Sequence, residues 1–134
     1  MKIEIEKDKL QAKLVQTLRL LTKRTHETAC VLLEDKATEK FIQFGRGPEL
    51  ILDLPLNCLT EQEKQRAREI FLTLGSNNTK NIEAPDVDGE PITRNFEVLQ
   101  HNFGGNADDA AIEAIRVFQH TYQLNEPVYV LHDN

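Results

Sequence analysis

The chain has no tryptophan, a single methionine, and two cysteines among its 134 residues. Cys30 and Cys58 stand 28 positions apart with no CxxC or Cys/His spacing around them, which leaves no zinc-ribbon pattern or disulfide framework. Both read as buried free thiols. No window approaches the roughly eighteen uninterrupted apolar residues of a membrane span, so no membrane partner is expected. Neither charge sign is gathered into a long block, and acidic residues outnumber basic ones by 22 to 16. That excludes nucleic acid as a generic partner, because phosphate binding needs concentrated Lys and Arg. The charged opening Met1-Lys2-Ile3-Glu4-Ile5-Glu6-Lys7-Asp8 has no apolar stretch and does not read as a secretory signal. The expected compartment is the cytoplasm.

Catalytic signatures are missing too. His26, His101, His120 and His132 form no HExxH or HxH pattern, and no GxGxxG, Walker lysine or serine nucleophile elbow is present. Asp86-Val87-Asp88-Gly89-Glu90 looks like part of a calcium loop, but Ala84 occupies the first ligand position and the closing glutamate is absent, so a turn is the better reading. Gly104-Gly105-Asn106 before a helix offers amides to an anion, yet Asp108 and Asp109 would repel one. No catalytic residue, cofactor or metal is therefore assigned.

What is present is ordinary globular material: 40% hydrophobic and 28% charged residues, in a length suited to one domain spanning residues 1–134. Leu10, Leu14, Leu18 and Leu21 recur at helical spacing and predict a helix from Lys7 to about Arg24. The period then changes to two. Ala29, Val31 and Leu33 alternate with Cys30, Leu32 and Glu34, and Asp35 to Thr38 ends that strand. A strand over Phe41 to Phe44, the turn Gly45-Arg46-Gly47-Pro48 and a return strand over Glu49 to Leu54 form a hairpin, with Leu50, Leu52 and Leu54 on one side and Ile51 on the other.

Thr60-Glu61-Gln62-Glu63 is a capping box opening a helix that buries Ala67, Ile70, Phe71 and Leu74 and stops at Gly75. Ser76 to Thr93 is polar and reads as a long loop, with a short hairpin around Asp88-Gly89 as the alternative. A strand follows over Phe96 to Phe103. A third helix carries Ala111, Ala114, Ile115, Phe118 and Tyr122 and ends near Asn125. Val128 to Leu131 makes a last strand. The expected order is α-β-β-β-α-β-α-β, folded as an α+β two-layer sandwich in which an antiparallel meander carries helices on one face.

The element order, together with Lys40 to Phe44, Leu50 to Leu54, Phe71 to Gly75 and Ala110 to Tyr122, resembles the type III secretion chaperone-like fold, which includes YbjN-type bacterial domains. The resemblance implies a non-enzymatic, often homodimeric module that holds a partner segment, and it carries over no catalytic residue. The second sheet face supports the same expectation, because Cys30, Leu32 and Ile51 make it less polar than a solvated face. Leu32, Phe41 and Ile51, with Arg46 at the hairpin tip, are the expected partner contacts, the partner being another protein or a second copy. The alternative is a small ligand-binding protein or enzyme whose site forms from residues 76–93, His101 and Gly104-Gly105, or from His101 with His120 and Asp108.

Overall fold

The computed structural model describes residues 2–24, 29–45, 49–76, 79–85, 93–123 and 128–133. Among these residues seven strands and three helices follow one another as β1 (Lys2–Glu6), α1 (Leu10–Leu21), β2 (Val31–Asp35), β3 (Phe41–Phe44), β4 (Ile51–Pro55), α2 (Glu61–Thr73), β5 (Thr79–Pro85), β6 (Thr93–Asn102), α3 (Ala107–Tyr122) and β7 (Val128–Asp133). All strands join one antiparallel sheet in the order β1-β7-β2-β3-β4-β6-β5. The predicted meander is its centre, β2-β3-β4. The expected α+β two-layer sandwich is what forms, with two strands more than the sequence pattern showed.

The first extra strand is β1. Ile3 and Ile5 alternate with Lys2, Glu4 and Glu6, a period-two pattern that the surrounding charge hides. Its hydrogen-bonding partner is β7, about 125 residues further along, in a register from Lys2 opposite His132 to Glu6 opposite Val128. The helix therefore starts later than expected: one 3-10 turn, Lys7–Lys9, precedes α1, which closes at Leu21 rather than Arg24. The second extra strand is β5, which takes up seven residues of the expected loop. It pairs with β6 from Thr79 opposite Leu99 to Pro85 opposite Thr93, so a hairpin is the correct reading there, while its turn at Asp88-Gly89 lies outside the described residues.

Alternation assigns the strand side chains to two faces. Val31, Leu33, Ile42, Phe44, Leu52, Leu54, Leu99, Tyr129 and Leu131 point to the helices and are buried. The helices answer with Leu10, Leu14, Leu18 and Leu21 from α1, Ala67, Ile70 and Phe71 from α2, and Ala110, Ala111, Ala114, Val117 and Phe118 from α3. Burying one such leucine or phenylalanine contributes about 1.5–3 kcal/mol. The small alanine face of α3 lets it sit between α1 and α2. Phe118 meets Tyr129 edge-on at 5.6 Å and Tyr122 at 5.4 Å, the geometry that ring quadrupoles favour.

The turns and caps follow their chemistry. Thr60 and Glu63 form the full capping box of α2, and Gly75 takes φ +80° at its end, a conformation open to glycine without Cβ strain. Asn106 caps α3 by accepting from the Asp109 amide, and Gln123 ends it in the left-handed region, ahead of the expected stop at Asn125. Between β2 and β3 the buried Asp35 carboxylate accepts from the Thr38 amide at 2.8 Å and the Thr38 hydroxyl at 2.6 Å, with Glu39 at φ +61°. Among the described residues, no helix is long and apolar enough to cross a membrane.

Candidate functional site

The sheet face turned away from the helices is the most extended feature of the molecule, and among the described residues no element packs on it. Antiparallel register sets its pattern. One rung runs Lys2, His132, Leu32, Gln43, Asp53, Gln100 across six strands. The next carries Glu4, Val130, Glu34 and Phe41, with Pro55 opposite Val98 further across. Leu32 and Phe41 are diagonal neighbours on adjacent strands and both are half-buried. Ile51 is half-buried as well, but lies beside Asn102 at the opposite end of the face. The three expected contacts thus share one face, and only two of them adjoin. Arg46, the fourth, lies outside the described residues.

Polar groups on this face are held in cross-strand pairs. His132 Nε2 lies 3.0 Å from Glu34 Oε1, Gln100 donates to Asp53 at 2.5 Å, and Asn102 donates to Glu49 at 2.7 Å. Val98 and Val130 are nearly fully buried, yet lie outside the helix-packed core cluster. The result is an apolar centre with a fixed polar lattice around it. Such a surface offers contact area together with few side chains left to order on binding.

The second candidate region assembles only in part. Ser76 Oγ sits 2.5 Å from His101 Nδ1, and the His101 ring stands edge-on to Phe103 at 4.6 Å. Gly104 has φ +60°, but its amide already donates to Asn102 Oδ1 at 2.7 Å, and the Asp109 amide to Asn106. The turn has its first amides occupied, which removes the anion cradle. The distant pairing of His101 with His120 and Asp108 does not form: His120 faces Glu69 at 3.7 Å and Asp108 pairs with Arg19 at 3.2 Å. No group of three or more metal-ligating side chains occurs among the described residues. Cys30 is half-buried and Cys58 exposed, and neither forms a disulfide. The exposure of Cys58 corrects the expectation of two buried thiols: it ends the short 3-10 turn Leu56–Cys58, which buries Leu56 instead.

No family model, curated protein or solved structure matches the chain. The reading of its site accordingly rests on geometry.

Two arrangements escaped the sequence reading. Lys40 donates to the buried Glu63 at 2.6 Å and lies over the Tyr122 ring, while the Tyr122 hydroxyl donates to the Phe41 carbonyl at 2.7 Å. Burial works against the charged form of Glu63. The Lys40 ammonium and the Thr60 amide outweigh it and hold the carboxyl below the usual glutamate range. Burial pushes the Tyr122 hydroxyl up, with Glu63 adding to the effect. This cluster ties the start of β3 to α2 and α3, which fixes Phe41 on the open face. The capping box was its one signal in sequence. The other arrangement is a cleft of about 330 Å³ at the outer edge of β1, lined by Ile3, Glu4, Ile5, Glu6, Lys9 and Lys13.

Proposed function

We propose that the chain is a non-enzymatic, chaperone-like interaction module that holds a segment of another protein against the open face of its sheet. The observation that carries this reading is a seven-stranded sheet with helices on one face and half-buried Leu32 and Phe41 at the centre of the other. The resemblance to the secretion-chaperone-like fold supports it. Two cysteines outside any disulfide suit a cytoplasmic setting.

The test is suppression of aggregation of a reporter protein as it unfolds thermally, followed by light scattering. The wild type suppresses it. Leu32→Asp and Phe41→Asp lose most of the effect, and Ile51→Asp, at the far end of the face, loses less. Unchanged suppression in the first two variants, with unfolding midpoints near the wild-type value, rules the reading out. Solution mass across a concentration series identifies a second copy as the occupant, through a dimer that Leu32→Asp dissociates.

The Ser76–His101 contact favours a second reading, a small-molecule or hydrolytic site beside residues 76–93, because a histidine bonded to a serine hydroxyl is the start of an activated nucleophile. Among the described residues, no carboxylate bonds the other ring nitrogen. Covalent labelling of Ser76 by a fluorophosphonate probe supports this second reading, and absence of labelling removes it.

A further inference from the structure

The edge of the sheet carries a surface separate from the open face. β1 pairs only with β7, so its other edge presents backbone groups that no strand of the described chain meets. An exposed edge is a template for one more strand. Toward the helices, the edge shows Ile3, half-buried and packed at the margin of the core, and Ile5, 6% exposed. Above them α1 and the turn before it project Lys9 and Lys13, one helical turn apart. Among the described residues neither lysine side chain has an acidic partner, in a protein of net charge −6. These groups line the cleft of about 330 Å³.

Charge selects the occupant. A second copy pairing along all five residues of β1 would put Ile3 opposite Ile5 and Lys2 opposite Glu6, two exposed pairs of small worth, but it would set Glu4 against Glu4 and crowd Lys9 and Lys13 of both copies over the seam, where no acidic group meets them. A different strand avoids both clashes if its groove-facing positions alternate apolar and acidic side chains, the apolar ones covering Ile3 and Ile5 and the carboxylates reaching Lys9 and Lys13. We infer that the β1 edge is a strand-addition site for an extended peptide of this kind. On the outer side of the edge Glu4 is paired with Lys36 at 2.9 Å, while Lys2 and Glu6 are exposed charges of opposite sign, so selection rests on the groove side.

The probe is a fluorescein-labelled peptide, Val-Thr-Glu-Thr-Val-Thr-Glu, titrated with the full chain and followed by anisotropy, with hydrogen exchange of the β1 amides measured alongside. The acidic peptide binds and slows exchange in β1. Replacing its glutamates by lysine, or introducing Lys9→Glu with Lys13→Glu in the protein, weakens binding about tenfold or more. Lys9 is exposed, Lys13 is half-buried and neither side chain has an acidic partner among the described residues, so the double variant keeps its unfolding midpoint, and Leu32→Asp, on the other face, binds the peptide as the wild type does. Equal binding of the lysine peptide, unchanged binding by the double variant, or no anisotropy change overturns the inference. So does a stable dimer whose β1 amides are already protected without peptide. Loss of aggregation suppression in Leu32→Asp with peptide binding intact separates this site from the proposed function.

Discussion

The two faces of the sheet are built from the same strands and differ by one residue of register, yet they do opposite things. On the covered face, Leu33, Ile42, Phe44, Leu52 and Leu54 meet three helical stripes and are sealed from water. On the open face, Leu32 and Phe41 stay half-buried among paired polar groups. The packing that stabilises the fold is concentrated on one side, and the other contributes little to it.

Truncation across the layers is the most direct way to break this contrast. Leu18→Ala, at 0% exposure, is expected to lower the unfolding free energy by about 3 kcal/mol, because the cavity under α1 cannot collapse; urea denaturation measures it. An equal loss from Ile51→Ala would erase the distinction between the faces, and that variant is expected to cost less than about 1 kcal/mol.

Glu63 sharpens the comparison in a second way, since it places a charge on the covered side. Its folded-state pKa is depressed, so its contribution is complete above the ordinary glutamate pKa and is lost as the pH falls through the lower folded value. Glu63→Gln should therefore cost about 1–2 kcal/mol near neutral pH and much less in acid, read from urea midpoints at both. Breaking the Glu34–His132 pair on the open face by Glu34→Gln is expected to cost about 0.5 kcal/mol or less near neutral pH. The smallest effect has the opposite sign. Glu39 sits at φ +61°, and Glu39→Gly should raise stability by about 0.5 kcal/mol through relief of that strain, detectable as a higher thermal midpoint.

Local chemistry made the central meander, the Thr60–Glu63 cap and the α3 stripe legible, because each depends on residues within a turn or two of one another. β1 and β5 were hidden for the converse reason. Their side-chain patterns are weak, and ladders set by distant or paired strands hold them in place. The candidate contacts Leu32, Phe41 and Ile51 followed from alternation, but their spacing across the face needed the register of β2, β3 and β4. The link from Lys40 to Glu63 and Tyr122, and the cleft beside Lys9 and Lys13, depend on which elements become neighbours, and periodicity is silent on that.

The position of β7 has a consequence in time. It lies between β1 and β2 and is hydrogen-bonded to both, so that Tyr129 stands opposite Ile5 on one side and Asp35 on the other. During synthesis the chain therefore makes its first strand long before the strand that will receive it. Until residues 128–133 leave the ribosome, Ile3 and Ile5 have no place in the sheet and the Leu-rich side of α1 has an unfinished floor. Closure of the domain is a late event spanning nearly the whole sequence, the kind of distant pairing that slows folding. A chain stalled before β7 would leave both edges of β1 unpaired, where the finished sheet leaves one.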